Sequence, residues 1–168
     1  SLSDIRKEVT IAADLQRSLL PAGNPDLPGL DLAGRCQPAR FAGGDYFGYI
    51  DLAGGGLGCL ILDVSGHNLA SSLMLPMARA AFSWLGKRED DPGRIIAQVS
   101  SMLHGNLTAA ELFITLFLAA VDPRTGRVQV ANAGHNPPLL YRAAGQRAEW
   151  LDVDGPIMPN WAWSGYMQ

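Results

Sequence analysis

Two aspartates sit among glycines, each beside an apolar run: Asp45 in "FAGGDYFGYIDL" and Asp63 in "LGCLILDVSGHN". Carboxylate oxygens are hard donors suited to Mg²⁺, Mn²⁺ or Ca²⁺. Both runs read as strands, and the "AGGG" between them suits a hairpin, a pairing that could bring the two carboxylates together. Side by side, like charges repel unless cations lie between them or one group takes a proton. A shared pair of metal ions resolves that conflict, and the glycines leave room for ions, water and substrate. Taken singly, each aspartate is also what a turn or cap uses, so the residues alone leave both readings open. The glycines from Gly54 to Gly58 precede a strand and no Lys-Ser or Lys-Thr, which reads as a plain turn and not a phosphate loop.

The elements around them follow from periodicity. Leu2, Ile5, Val9, Ala12 and Leu19 recur at three- and four-residue steps, with Gln16 interrupting, so residues 2–20 read as a helix stopped by Pro21. That seam suits either a two-helix coiled coil or a helix packed on its own domain. "PAGNPDLPG" is a connector, after which "LDLAGRCQ" reads as a half-buried strand. Residues 68–85 form a helix in which Pro76 should make a kink or break. Asp91 and Pro92 open another, with Ile95, Ile96, Val99, Met102 and Leu103 on one face. "ELFITLFLAAVD" is a buried strand, including Thr115 as core, and "RVQVANAG" is its hairpin partner. "PPLLYRA" and "RAEWLDV" pair around Gly145. Strands, two helices, then strands again argue for an α+β fold with antiparallel sheets.

The 168 residues fit one domain, 48% hydrophobic and 17% charged, which indicates a folded globular chain without membrane-like composition. A net charge of −3 with scattered Lys and Arg disfavours nucleic acid. Cys36 and Cys59 stand apart, with no zinc spacing or disulfide framework. No run is long enough for a membrane span and no signal-peptide core opens the chain, so a cytoplasmic location is expected.

Taken together and in order, "LQRSLLP", "PARFAGGDYF", "LDVSGHNLASSLM", "FITLFLAAVD" and "NAGHNPPLL" resemble the SpoIIE/RsbU-like branch of the PPM-type, metal-dependent serine/threonine phosphatases, from about Leu15 to Gly155. The resemblance implies a sandwich of two antiparallel sheets flanked by helices, with two Mn²⁺ or Mg²⁺ ions at one end. It implies Asp45 and Asp63 as metal ligands, helped by the main-chain carbonyl of Val64. Gly43, Gly44 and Gly66 would provide clearance and turn geometry, while His67 and His135 would orient loops near the site. The implied activity is dephosphorylation, with a phosphorylated STAS-domain anti-anti-sigma factor as substrate and partner. Residues 1–20 would be a regulatory linker to an upstream sensor or receiver module, or would pair two copies in a homodimer, and residues 21–168 would be the phosphatase domain.

Departures from the pattern set the alternatives. Gly48 occupies a third acidic position and Asn68 replaces a glycine. The further metal-binding aspartates of the family lie beyond Gln168, while Asp152 and Asp154 read as turn residues. With Ser1 in place of an initiator Met, the chain reads as a piece of a longer protein, its domain lacking C-terminal strands. The second reading is a degenerate phosphatase-fold module that binds a regulatory phosphoprotein without turnover; a third, an ordinary structural domain, leaves the ordered motifs to chance.

Overall fold

The computed structural model describes residues 2–37, 43–66 and 69–159. Helix α1 spans Leu2–Arg17, followed by strands β1 (Asp45–Asp51) and β2 (Leu57–Val64), helices α2 (Leu69–Gly86) and α3 (Pro92–Ala109), and strands β3 (Ile114–Asp122), β4 (Arg127–Ala133), β5 (Leu139–Arg142) and β6 (Arg147–Trp150). Strands β1 to β4 form one antiparallel sheet in chain order, with α2 and α3 inserted between β2 and β3. Strands β5 and β6 form a separate two-stranded ribbon. The fold is thus α+β with antiparallel sheets and flanking helices, the second sheet being this ribbon among the described residues.

Alternation decides which side of the main sheet is core. Tyr46 and Ile50 of β1, Leu60, Leu62 and Val64 of β2, and Ile114, Leu116 and Leu118 of β3 are buried on the face that α2 and α3 cover. The helices contribute Leu75, Phe82, Ile95, Ile96, Val99 and Leu107, all at most 1% exposed. Burying a side chain of this size contributes about 1.5–3 kcal/mol, so this face carries the fold. Asp45, Ile61 and Asp63 alternate onto the opposite, exposed face.

The helices differ from expectation in detail. Pro76 lies within α2 without ending it. Packing of its neighbours Leu75 and Ala78 into the core offsets the loss of about 3 kcal/mol that a mid-helix proline brings. Asp91 caps α3 by accepting the Arg94 N–H at 2.9 Å. Its buried arc runs through Ile95, Val99, Leu103, Ile96 and Leu107 to Ser100, which leaves Met102 past the edge and 53% exposed. Helix α1 ends at Arg17; Leu19 and Leu20 pack against the core from the turns that follow.

The expected strand in "LDLAGRCQ" is absent: residues 31–37 form no ladder. A Cβ on Gly34 would run into the Phe47 ring, so this segment lies face-on against the outer side of β1 instead of edge-on to a neighbour. Near residue 158 lies an isolated pairing that periodicity gives no sign of. Met158, fully buried, exchanges two backbone hydrogen bonds with Ile114 at 2.7 and 2.9 Å. It pairs beside the start of β3, where β4 has already turned away after Ala133.

The start of β1 depends on one glycine. The Val64 N–H donates to the Gly44 carbonyl at 3.0 Å, and a Cβ on Gly44 would overlap the Val64 carbonyl oxygen. A Cβ on Gly43 would meet nothing nearer than the Asp45 nitrogen at 3.9 Å. Gly44→Ala should therefore lower stability by about 2 kcal/mol through backbone overpacking, while Gly43→Ala stays within about 0.5 kcal/mol of the parent, as read from urea unfolding midpoints.

Candidate metal centre

Antiparallel register sets Asp45 directly opposite Asp63, and Asp63 directly opposite Thr115. Residues opposed across adjacent strands share a face, so the three side chains form a row at one end of the sheet, on the side away from the helices. Burial, followed by the Asp45 charge, pushes the Asp63 carboxyl above the ordinary range; His135 pulls the other way, and a hydrogen bond with Asp45 favours the protonated form. Two carboxylates close enough to share a proton describe a site of concentrated negative charge.

The surroundings of the pair are held by short local bonds. After Val64, Ser65 closes the turn: its N–H donates to the Phe113 carbonyl and its Oγ accepts the Phe113 N–H, both at 2.8 Å. Gly66 follows with a φ of +80°, a left-handed turn that favours glycine. The Val64 carbonyl is turned toward Gly44. On the other flank, Asn132 clamps His135 by accepting its N–H at 2.8 Å and donating to its carbonyl at 2.9 Å. The His135 ring then meets the Thr115 hydroxyl through Nδ1 at 3.0 Å.

Thr115 is thus corrected from a core residue to a half-buried member of this row, because its place in β3 faces outward between the inward Ile114 and Leu116. The register signal was available in the alternation of "ITLFLAA", once Ile114 is taken as inward. Gly48 also finds its place. It points to the helix side of β1, where a Cβ would overlap the Tyr46 ring, and the Tyr46 hydroxyl accepts the Arg79 Nε–H at 3.2 Å. The missing acid at this position therefore does not remove a ligand from the Asp45–Asp63 face.

Two residues near the site carry no sequence signal of that role. The thiol of Cys36 is pushed up by burial and, after it, by the charge of Asp45. Gln16 of α1 contacts Gly43, two residues before Asp45. His67 lies outside the described residues.

The donor set fits a hard divalent cation in part. Asp45 and Asp63 offer carboxylate oxygens from neighbouring strands, while the Val64 carbonyl lies against Gly44. Among the described residues, no third His, Cys, Asp or Glu joins them within metal-binding range. Two carboxylates are fewer than the six or more oxygens that a divalent ion ordinarily takes from protein and water together.

Comparisons with known proteins agree with this architecture. The SiaA PP2C domain of Pseudomonas aeruginosa superimposes with a TM-score of 0.71 at 21% identity, over 94% of this chain and 63% of that one. The RsbU and RsbW domains of Rv1364c from Mycobacterium tuberculosis give a TM-score of 0.62 at 23% identity, over 76% and 35% of the respective chains. In sequence, phosphoserine phosphatase RsbU of Bacillus subtilis (strain 168) is 28% identical over 155 residues, 92% of this chain and 46% of that protein. The chain thus spans about half the length of this relative. The family model for Stage II sporulation protein E matches residues 53–159, more than half of the chain, including helices α2 and α3 and three strands of the main sheet, and the chain belongs to the SpoIIE family.

Proposed function

We propose that this chain is the catalytic part of a metal-dependent protein serine/threonine phosphatase whose substrate is a phosphorylated STAS-domain anti-anti-sigma factor in a bacterial partner-switching pathway. The observation that carries the reading is the opposed Asp45–Asp63 pair at the open end of a PP2C-type sheet. The relative RsbU is named a phosphoserine phosphatase, and RsbU and RsbW domains occur together in the Rv1364c structure. Loss of a phosphoryl group removes close to two negative charges from a partner surface, a change large enough to switch binding.

In this reading Asp45, Asp63 and the Val64 carbonyl hold Mn²⁺ or Mg²⁺, two ions in a complete site. When bound, such ions ionise a water at neutral pH and offset charge on the phosphoryl group. The chain's residues do the positioning. The two strands fix the carboxylates opposite each other. Thr115 and Asn132 hold the His135 ring and backbone beside Asp63, and Gly44 and Gly66 shape the strand ends. Residues 1–20 act as the link to an upstream sensor or receiver module, or as a homodimer contact, through the exposed Leu2, Ile5 and Val9. Residues 21–168 are the phosphatase domain. A cytoplasmic location suits this role, and no helix among the described residues is long and apolar enough to cross a membrane.

A second reading, a degenerate module that binds the phosphoprotein without turnover, is favoured by one observation: two carboxylates are grouped among the described residues, and no third joins them. Turnover separates the two. The intact protein should release phosphate from the phosphorylated STAS-domain substrate only with Mn²⁺ or Mg²⁺, and Asp63→Asn should lower the rate more than about 100-fold. Equal rates in excess chelator contradict the enzyme reading, and tight substrate binding without phosphate release favours the second.

Proton linkage gives a further expectation. The folded-state pKa of Asp63 is raised, so its contribution to metal-free stability is present below the unfolded value, near pH 4, and is lost as pH rises through the folded value. Asp63→Asn removes this loss. Without metal at pH 7 the variant should match or exceed the parent by on the order of 0.5 kcal/mol, the scale of an exposed charge pair, in urea unfolding. Mn²⁺ should raise the parent's unfolding midpoint and leave that of the variant in place.

A further inference from the structure

The polar break in the apolar seam of α1 has a defined partner. Gln16 donates from Nε2 to the Gly43 carbonyl at 2.7 Å and accepts the Gly43 N–H on Oε1 at 3.0 Å. One side chain thereby satisfies both backbone groups of a residue 27 positions away. The next residue, Gly44, is bonded to Val64 of β2 at 3.0 Å, and the one after it is Asp45. The two residues leading into Asp45 are thus held by two different elements, Gly43 by α1 and Gly44 by the strand that carries Asp63.

The seat of α1 on the domain is narrow. Ala13, one turn before Gln16, is fully buried, and Leu19 and Leu20 pack behind it, while Leu2, Ile5, Val9, Ile11 and Leu15 are exposed. A small residue at 13 lets the helix approach closely enough for the Gln16 amide to reach the Gly43 backbone. An apolar side chain at position 16 would continue the seam and leave both Gly43 groups without these partners.

We propose that Gln16 is a positioning residue for Asp45: its amide pins the Gly43 backbone to the last turns of α1 and so sets where the Asp45 carboxylate stands against Asp63. This inference rests on the reading of the aspartate pair as a metal centre. It makes cation affinity depend on the docking of a helix that contributes no ligand.

The test uses Gln16→Met in the intact protein, which keeps the length and helix propensity of the side chain and removes both hydrogen bonds. Gln16→Asn, which withdraws the amide while keeping the seam polar, serves as the second variant should Met disturb folding. Arg17→Ala, on the same turn and paired with Asp14 at the surface among the described residues, is the control. Mn²⁺ alone is titrated calorimetrically, and Gly43 and Gly44 amide exchange is followed by NMR without metal. The expected result is faster exchange at Gly43, a metal-free unfolding midpoint lowered by the loss of two hydrogen bonds, and Mn²⁺ binding weakened about ten-fold on top of that, with Arg17→Ala unchanged in both. Parent-like Mn²⁺ affinity in a Gln16 variant with freed Gly43 exchange overturns the positioning role alone. A parent protein that binds no Mn²⁺, with Gly43 protected, overturns the metal-centre reading and the coupling with it.

Discussion

The site depends on one pairing, the antiparallel register that sets Asp45 against Asp63. A slip of one residue between β1 and β2 would send one carboxylate to the helix side and expose an apolar row in its place. The register is therefore fixed by the inner face, where Tyr46, Ile50, Leu60, Leu62 and Val64 are buried under α2 and α3. The contact between Gly44 and Val64 fixes it again at the strand end. Burial, and after it the Asp45 charge, disfavour an ionised Asp63 in this arrangement. Packing on one side of the sheet holds together charges that would separate on their own.

The two sides of the sheet thus have different tasks. The inner side is built from large aliphatic side chains, and its helices arrive between β2 and β3, so that strands far apart in the chain become neighbours. The outer side carries Asp45, Asp63 and Thr115 in a row, with His135 brought in from the turn after β4. That turn exists because β4 leaves β3 at Ala133, and Met158 fills the vacated edge at Ile114. Asn132, 3% exposed, completes the connection by fastening the His135 backbone from within the strand.

Much of this was readable from alternation and punctuation. Asp91–Pro92 marks the start of α3, "LGCLILDV" gives β2 to the residue, and the aspartates attract notice through their glycine neighbours. What was not readable depends on contacts between distant segments. "LDLAGRCQ" alternates like a strand, yet Gly34 lies against Phe47 and the segment crosses a face instead of joining an edge. Thr115 looks like core because its strand is apolar, and its role follows only from the register with Asp63. Met102 falls just outside a buried arc whose centre depends on where the helix meets the sheet. Gln16 appears as a blemish in a hydrophobic repeat, and nothing local indicates that its partner is Gly43.

Helix α1 and the aspartate pair are consequently one mechanical unit, joined through two glycines. A cation seated between the carboxylates is the claim on which the chemistry stands. Crystals grown with Mn²⁺ and measured on both sides of the manganese absorption edge test it most directly. The account predicts an anomalous peak on the outer face of the sheet, at a coordination distance of about 2.0–2.6 Å from carboxylate oxygens of both Asp45 and Asp63. Ordered side chains of Asp45 and Asp63 with manganese bound only elsewhere would contradict it.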